Sequence, residues 1–88
     1  MKRLGFGAEI LKSTLDKLEV GAAATIEEVS TVSDRAGRMA ALGFIPGRVV
    51  KVTRHAPLGD PISVELDGQE ISLRRSEAAI IHIEEITK

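Results

Sequence analysis

Ile62-Ser63-Val64-Glu65-Leu66-Asp67-Gly68-Gln69-Glu70-Ile71-Ser72-Leu73-Arg74 decides the fold. Apolar and polar residues alternate over 62–66, which buries one face of a strand and wets the other. Asp67-Gly68 is a strong two-residue hairpin signal, and Ile71-Ser72-Leu73-Arg74 returns with the same alternation. The stretch reads as a β-hairpin.

Working toward the N-terminus, Pro57-Leu58-Gly59-Asp60 reads as a turn and Val49 to His55 as a β-branched strand. Ile45-Pro46-Gly47-Arg48 has Pro second and Gly third, the type II preference. Arg35 to Leu42 predicts two helical turns, with Asp34 as N-cap and Ala36, Met39 and Ala40 on one face. Gly37 inside that helix costs roughly 1 kcal/mol against Ala, so the helix relies on packing. Gly43 ends it in the left-handed conformation. Ser30 to Ser33 is loop, and Ala22 to Val29 is a strand with Ala24, Ile26 and Val29 facing inward. Between Ala8 and Leu18 the apolar residues fall at 8, 10, 11, 15 and 18, close to helical spacing. Ser13 or Thr14 would cap a short turn over Leu15 to Leu18; the alternative is a loosely packed lead-in.

Downstream, Ser76-Glu77-Ala78-Ala79 predicts a single helical turn capped by Ser76, and Ile80 to Ile86 a last strand. About five short strands and one short helix result. A sheet this small must curl to avoid bare edges. The expected fold is mainly β: a small, SH3-like, partly open β-barrel of about five strands. Residues 1–13 form an N-terminal extension and residues 14–88 the domain.

Composition narrows the function. At 88 residues the chain has one modest core. Its 12 basic and 13 acidic residues give a net charge of −1, against the strong basic excess of a general nucleic-acid binder. The absence of cysteine fits a reducing cytoplasm and removes thiolate metal sites. No apolar run approaches the ~20 residues that span a bilayer. Met1 to Phe6 is basic, but no long apolar stretch follows as in a signal peptide. Phe6 and Phe44 are the only aromatics. The aromatic grooves of proline-rich peptide readers and the stacking platforms of single-strand binders therefore cannot be built.

No catalytic motif is present: there is no G-x-S-x-G, P-loop or H-E-x-x-H. Ser76-Glu77 and Glu84-Glu85 read as a cap and a solvated strand end. His55 and His82 are the only imidazoles, and a first-row metal needs three or four ligands. They are the weak metal candidates, by adventitious divalent binding or across a dimer. Most arginines are expected to pair with Glu65, Glu70 and Glu77; Arg38 and Arg54 are the better candidates for an acidic partner.

The apolar residues beside turns remain. Turn residues are usually polar, because loops run over the surface. Phe44 and Ile45 follow Leu42-Gly43, and Leu58 sits between Pro57 and Gly59. Phe44 either staples the helix end to the barrel or joins a docking patch. Leu58 is the better docking anchor, being an apolar tip rimmed by polar residues, on a loop that Pro57 and Pro61 stiffen.

Leu42-Gly43-Phe44-Ile45-Pro46-Gly47, Ala56-Pro57-Leu58-Gly59-Asp60-Pro61-Ile62 and Leu73-Arg74-Arg75-Ser76-Glu77-Ala78 together resemble the FeoA family. Thr14-Leu15 through Gly21 resembles the family's opening, so the resemblance covers roughly residues 14–86. It implies a free-standing SH3-like cytoplasmic protein of bacterial ferrous-iron uptake, with no required cofactor. The implied partner is the ferrous-iron permease FeoB, whose cytosolic part binds GTP, and contact with the membrane would run only through that partner. The same domain type also ends iron-dependent repressors, but no helix-turn-helix precedes it here. The leading expectation is a non-enzymatic adaptor docking through Leu42, Phe44, Pro57, Leu58 and Gly59, with Arg38 and Arg54. The alternative is a metal-responsive module acting through a homodimer. A nucleic-acid binder comes third.

Overall fold

The computed structural model describes residues 2–4, 8–32 and 34–87 of the chain. Seven strands, two short α-helices and a 3₁₀ turn follow in order: β1 (Lys2–Leu4), β2 (Ala8–Thr14), the 3₁₀ turn (Leu15–Lys17), β3 (Ala23–Val29), α1 (Ala36–Ala41), β4 (Val49–His55), β5 (Ile62–Leu66), β6 (Gln69–Leu73), α2 (Arg75–Ala78) and β7 (Ile81–Thr87). All pair antiparallel in one sheet of order β1-β2-β7-β3-β4-β5-β6. The mainly β, SH3-like reading holds, with seven strands among the described residues rather than five. The helical spacing over 8–14 is corrected to strand β2, which pairs with β7 from Glu9↔Thr87 to Thr14↔His82. Phe6 of the expected extension and Ser33 of the expected loop lie outside the described residues.

The β5–β6 hairpin forms as read. Asp67 and Gly68 both have positive φ, +52° and +79°, the type I′ geometry whose twist matches the flanking strands. Ile62, Val64 and Leu66 are buried and Glu65 is exposed, but Ser63, expected on the wet face, is also buried, so the alternation is broken at that position. β3 and β4 each lose register once, β3 between Ile26 and Glu28 and β4 between Val52 and Arg54. Each irregularity leaves one extra residue, Glu27 or Thr53, and such a bulge bends its strand and sharpens the local twist. The inner face is thereby curled around Leu15, Ile26, Phe44, Val50, Val52, Ile62, Val64, Leu73, Ile81 and Ile83.

α1 lies over that core through Met39, which is fully buried, while Ala40 is exposed and Ala36 half-buried. Its N-cap residue is Arg35, not Asp34, and no side chain caps it. Gly43 ends it at φ +108°. A Cβ there would stand 3.3 Å from Leu66 and Arg48, so both conformation and space require glycine. The Ile45–Arg48 turn closes with an Arg48 N–H to Ile45 carbonyl bond of 3.2 Å.

α2 is also shifted by one residue from the reading. Arg74, not Ser76, is the N-cap, and its backbone N–H donates to the Glu77 carboxylate at 2.9 Å. Glu77 is buried and also accepts from the Arg38 guanidinium. Burial of a carboxylate is costly unless it is paired and hydrogen-bonded, and Glu77 has both. Arg48 pairs with Asp67 at 2.8 Å. Glu65 and Glu70 instead lie opposite each other on β5 and β6, with Lys51 across from Glu65.

Candidate functional site

The β4–β5 connection carries the most exposed large apolar side chain that borders a turn motif. Leu58 is 97% exposed at its tip. The turn is Ala56–Gly59, one residue earlier than expected, closed by the Gly59 N–H to Ala56 carbonyl bond of 2.7 Å. Proline second and glycine fourth suit a type I geometry. The Ala56 N–H donates to the Pro61 carbonyl at 3.0 Å across the loop base. The Asp60–Pro61 peptide is cis.

Arg75 fastens this loop to the body. Its Nε–H donates to the Gly59 carbonyl, its Nη1–H to the Asp16 carbonyl at 2.8 Å, and its backbone N–H to the Asp60 carboxylate at 3.0 Å. One residue at the start of α2 thus joins the Leu58 loop and the 3₁₀ turn. An ordered loop loses less conformational entropy when a partner binds. Leu58 is therefore an apolar group held ready in water, which fits a recognition tip and serves no packing purpose within the chain.

The remaining candidates divide. Phe44 is 1% exposed in the core, so its place in the docking set is withdrawn: the only described aromatic staples the helix end. Leu42, at the C-cap of α1, is 37% exposed, and Ile45, three residues on, is 42% exposed. Pro57 is exposed and Gly59 half-buried beneath the tip. Arg38 has an internal partner in Glu77. Arg54 is exposed and makes no ion pair among the described residues.

Two hollows adjoin the loop. One, of about 500 Å³, is lined by Arg54, His55, Ala56, Pro57, Ser63 and Ser72, with Pro61 at its rim. The other, of about 320 Å³, is lined by Arg38, Leu73, Arg74 and Glu77, with Pro61 and Ser72 shared between the two. The His55 Nε2 atom is buried with no hydrogen-bond partner among the described residues.

The histidines are not brought together. His55 ends β4 opposite Ile62, while His82 sits on β7 between Thr14 and Glu28. No group of three or more metal-ligating side chains forms among the described residues. Near His82, Lys12 bridges Glu27 at 3.0 Å and Glu84 at 3.8 Å. The hydrogen bond from Lys12 holds the Glu27 carboxyl below the ordinary carboxylate range, with Glu84 contributing next, and the same bond raises Lys12.

Arg75, Arg74, Ser63 and Ser72 were not singled out from the sequence for this region. Arg75 reaches Gly59 and Asp16 across 16 and 59 residues, and no local pattern encodes such bonds. No helix among the described residues is long and apolar enough to cross a membrane.

Comparison with known proteins places this geometry. A 73-residue stretch is 34% identical to the Fe(2+) transport protein A/Fe(2+) transporter FeoB fusion protein of Porphyromonas gingivalis. That stretch is 83% of this chain and 9% of the relative, so the chain spans a small fraction of that protein. The solution structure of a FeoA-like protein from Clostridium acetobutylicum superposes with a TM-score of 0.82 at 27% identity, covering 88% of this chain and 90% of the other. The crystal structure of Stenotrophomonas maltophilia FeoA complexed with zinc, described as a prokaryotic SH3 domain protein, gives a TM-score of 0.70 at 30% identity, covering 80% and 87%. The FeoA domain model matches residues 13–85, nearly the whole sheet from the end of β2 to β7, and the chain belongs to the FeoA family of ferrous iron transport.

Proposed function

We propose that this chain is a non-enzymatic cytoplasmic accessory protein of ferrous iron uptake, which docks through the Leu58 loop on the cytosolic part of an FeoB-type permease and regulates it. The observation that carries the reading is a leucine 97% exposed on a loop tethered by Arg75. Isolated exposed apolar residues are ordinary, but this one sits at a turn tip whose following residues, Gly59 and Asp60, are held by Arg75. The P. gingivalis relative joins the two proteins in one chain, which favours physical association of the separate ones. Regulation follows if the adaptor binds one conformation of the permease more tightly than another, since only differential affinity shifts an equilibrium.

The test is an amide chemical-shift titration of labelled protein with the soluble cytosolic domain of the permease, with and without guanine nucleotide. Shifts clustered at residues 42–47 and 56–62 are expected. No shifts at high partner concentration would refute direct docking on that domain.

One observation favours a second reading, a metal-responsive association of two copies. The S. maltophilia relative was solved with zinc, and His55 Nε2 here has no partner among the described residues. Replacing His55 and His82 with alanine removes any metal-dependent dimerisation in sedimentation velocity if this reading holds.

A further inference from the structure

The two hollows beside the Leu58 loop are neighbours, with Pro61 and Ser72 lining both, and together they are the trough. Its floor is set by strand register. Arg54 of β4 lies opposite Ser63 of β5, and Ser63 lies opposite Ser72 of β6. The three residues make a row facing away from Ile62, Val64 and Leu73, with Arg54 and Ser72 exposed at its ends and Ser63 buried, at 9% exposure, between them. Two serines in that row, where a leucine or glutamate would fill the space, leave the depression open.

The charge in the trough is unbalanced. Arg38, Arg54 and Arg74 border it together with one carboxylate, Glu77. Glu77 is already engaged by the Arg38 guanidinium and the Arg74 backbone N–H. The Arg54 and Arg74 side chains are exposed and make no ion pair among the described residues. Asp60 sits in the neighbouring loop but accepts from the Arg75 backbone. Glu65 and Glu70 lie opposite each other a step further along the outer face, with Lys51 across from Glu65. The serine hydroxyls can donate, and His55 Nε2, buried without a partner, donates in its Nε2–H tautomer. Every polar group not already committed can thus serve as a donor. Guanidinium groups prefer a planar oxyanion that accepts two bonds at once.

We propose that this trough is a carboxylate-binding site that takes the acidic side chains of an extended segment of a protein partner, alongside Leu58. The inference rests on the docking reading and gives the partner a chemistry: a leucine-accepting pocket flanked by two or more Asp or Glu residues. Leu58 supplies apolar burial, while Arg54 and Arg74 fix register and exclude basic partners, as charge complementarity does at interfaces generally.

The probe is a blocked tetraglutamate peptide titrated into labelled protein, with blocked tetralysine and inorganic phosphate at matched charge as controls. Shifts are expected at the Arg54, Ser63, Ser72 and Arg74 amides and on the His55 ring, with millimolar affinity that falls as salt rises. Arg54→Gln and Arg74→Gln are each expected to weaken the peptide by about 3-fold, the scale of an exposed ion pair. Both side chains are exposed, so neither change threatens the fold. Peptide shifts retained in a Leu58→Asp variant that no longer binds the permease domain uphold both the trough and the docking reading. Absent peptide shifts in a parent protein that binds the permease domain through residues 56–62 overturn the trough and leave docking standing. Equal shifts with phosphate, or shifts unchanged in the Arg54→Gln/Arg74→Gln protein, also overturn it.

Discussion

Replacing Arg75 with Gln removes the guanidinium that donates to Gly59 and Asp16 while leaving its backbone bond to Asp60. A hydrogen bond involving a charged group contributes about 1.5–3 kcal/mol net. Arg75 is only half-buried, so the lower end applies, and two bonds amount to about 3 kcal/mol. A chain of 88 residues is expected to have roughly 4–13 kcal/mol of stability in all. The variant should therefore fold at room temperature yet melt lower, by about 12–24 °C at about 4–8 °C per kcal/mol. Arg75→Lys, which can reach one carbonyl but not both, should fall between. Calorimetry gives the melting point, and hydrogen exchange at the Gly59 amide reports the loop, because that amide is bonded to Ala56. Faster exchange at Gly59 with slower change at β5 and β7 amides would show the tether acting locally. A melting point within about 4 °C of the parent, with Gly59 exchange unchanged, would refute the claim that Arg75 holds the loop.

Leu58→Asp should leave the melting point nearly unchanged, because the side chain is 97% exposed, yet weaken permease-domain binding by at least tenfold, as loss of a buried leucine costs about 1.5–3 kcal/mol; isothermal calorimetry reads it, and unchanged affinity counts against the docking site. Phe44→Ala should cost about 3–5 kcal/mol and shift the urea midpoint sharply, with an effect on binding only through loss of fold. The Glu27 carboxyl is held low by its bond from Lys12, so its contribution to stability is full above the ordinary carboxylate range and is lost as pH falls through the lowered value. Lys12 is raised, so its share is full below the ordinary lysine value and is lost as pH rises through the raised one. In Lys12→Met the Glu27 carboxyl titration, followed by carbon chemical shift, should move up toward the ordinary range; no movement would mean that another group sets it.

The hairpin, the glycine-ended helix and the proline turn were legible because each is specified by residues adjacent in the chain. Asp67-Gly68 between alternating apolar residues favours a type I′ hairpin turn, and Gly43 has a positive φ that a Cβ could not adopt without crowding Leu66. β2 was misread for a physical reason. Ile10 and Leu11 are both half-buried, so the strand lacks alternation, and it runs directly into a 3₁₀ turn whose Leu15 and Leu18 lie three apart. Period two joined to period three imitates a helix. The alternating residues of β5 located the core but not the trough, which exists because β4, β5 and β6 set Arg54, Ser63 and Ser72 side by side. Arg38 looked free for a partner because Glu77, its counter-ion, is 39 residues away.

The last described strand of the chain lies inside the sheet, not at its edge. β7 pairs with β2 on one side and β3 on the other, so until it arrives the β1–β2 pair and the β3–β6 meander have no common neighbour. On a ribosome, a nascent chain ending before Ile81 can pair four strands into a curled half-sheet whose β3 edge is bare. The domain must therefore close after residue 87 has left the exit tunnel, in a step governed by contacts between distant parts of the chain, which are slow to form. Until then the inner faces of Ile26 and Leu15 remain available to chaperones, and arrest peptides placed at increasing distances behind residue 87 would time that closure.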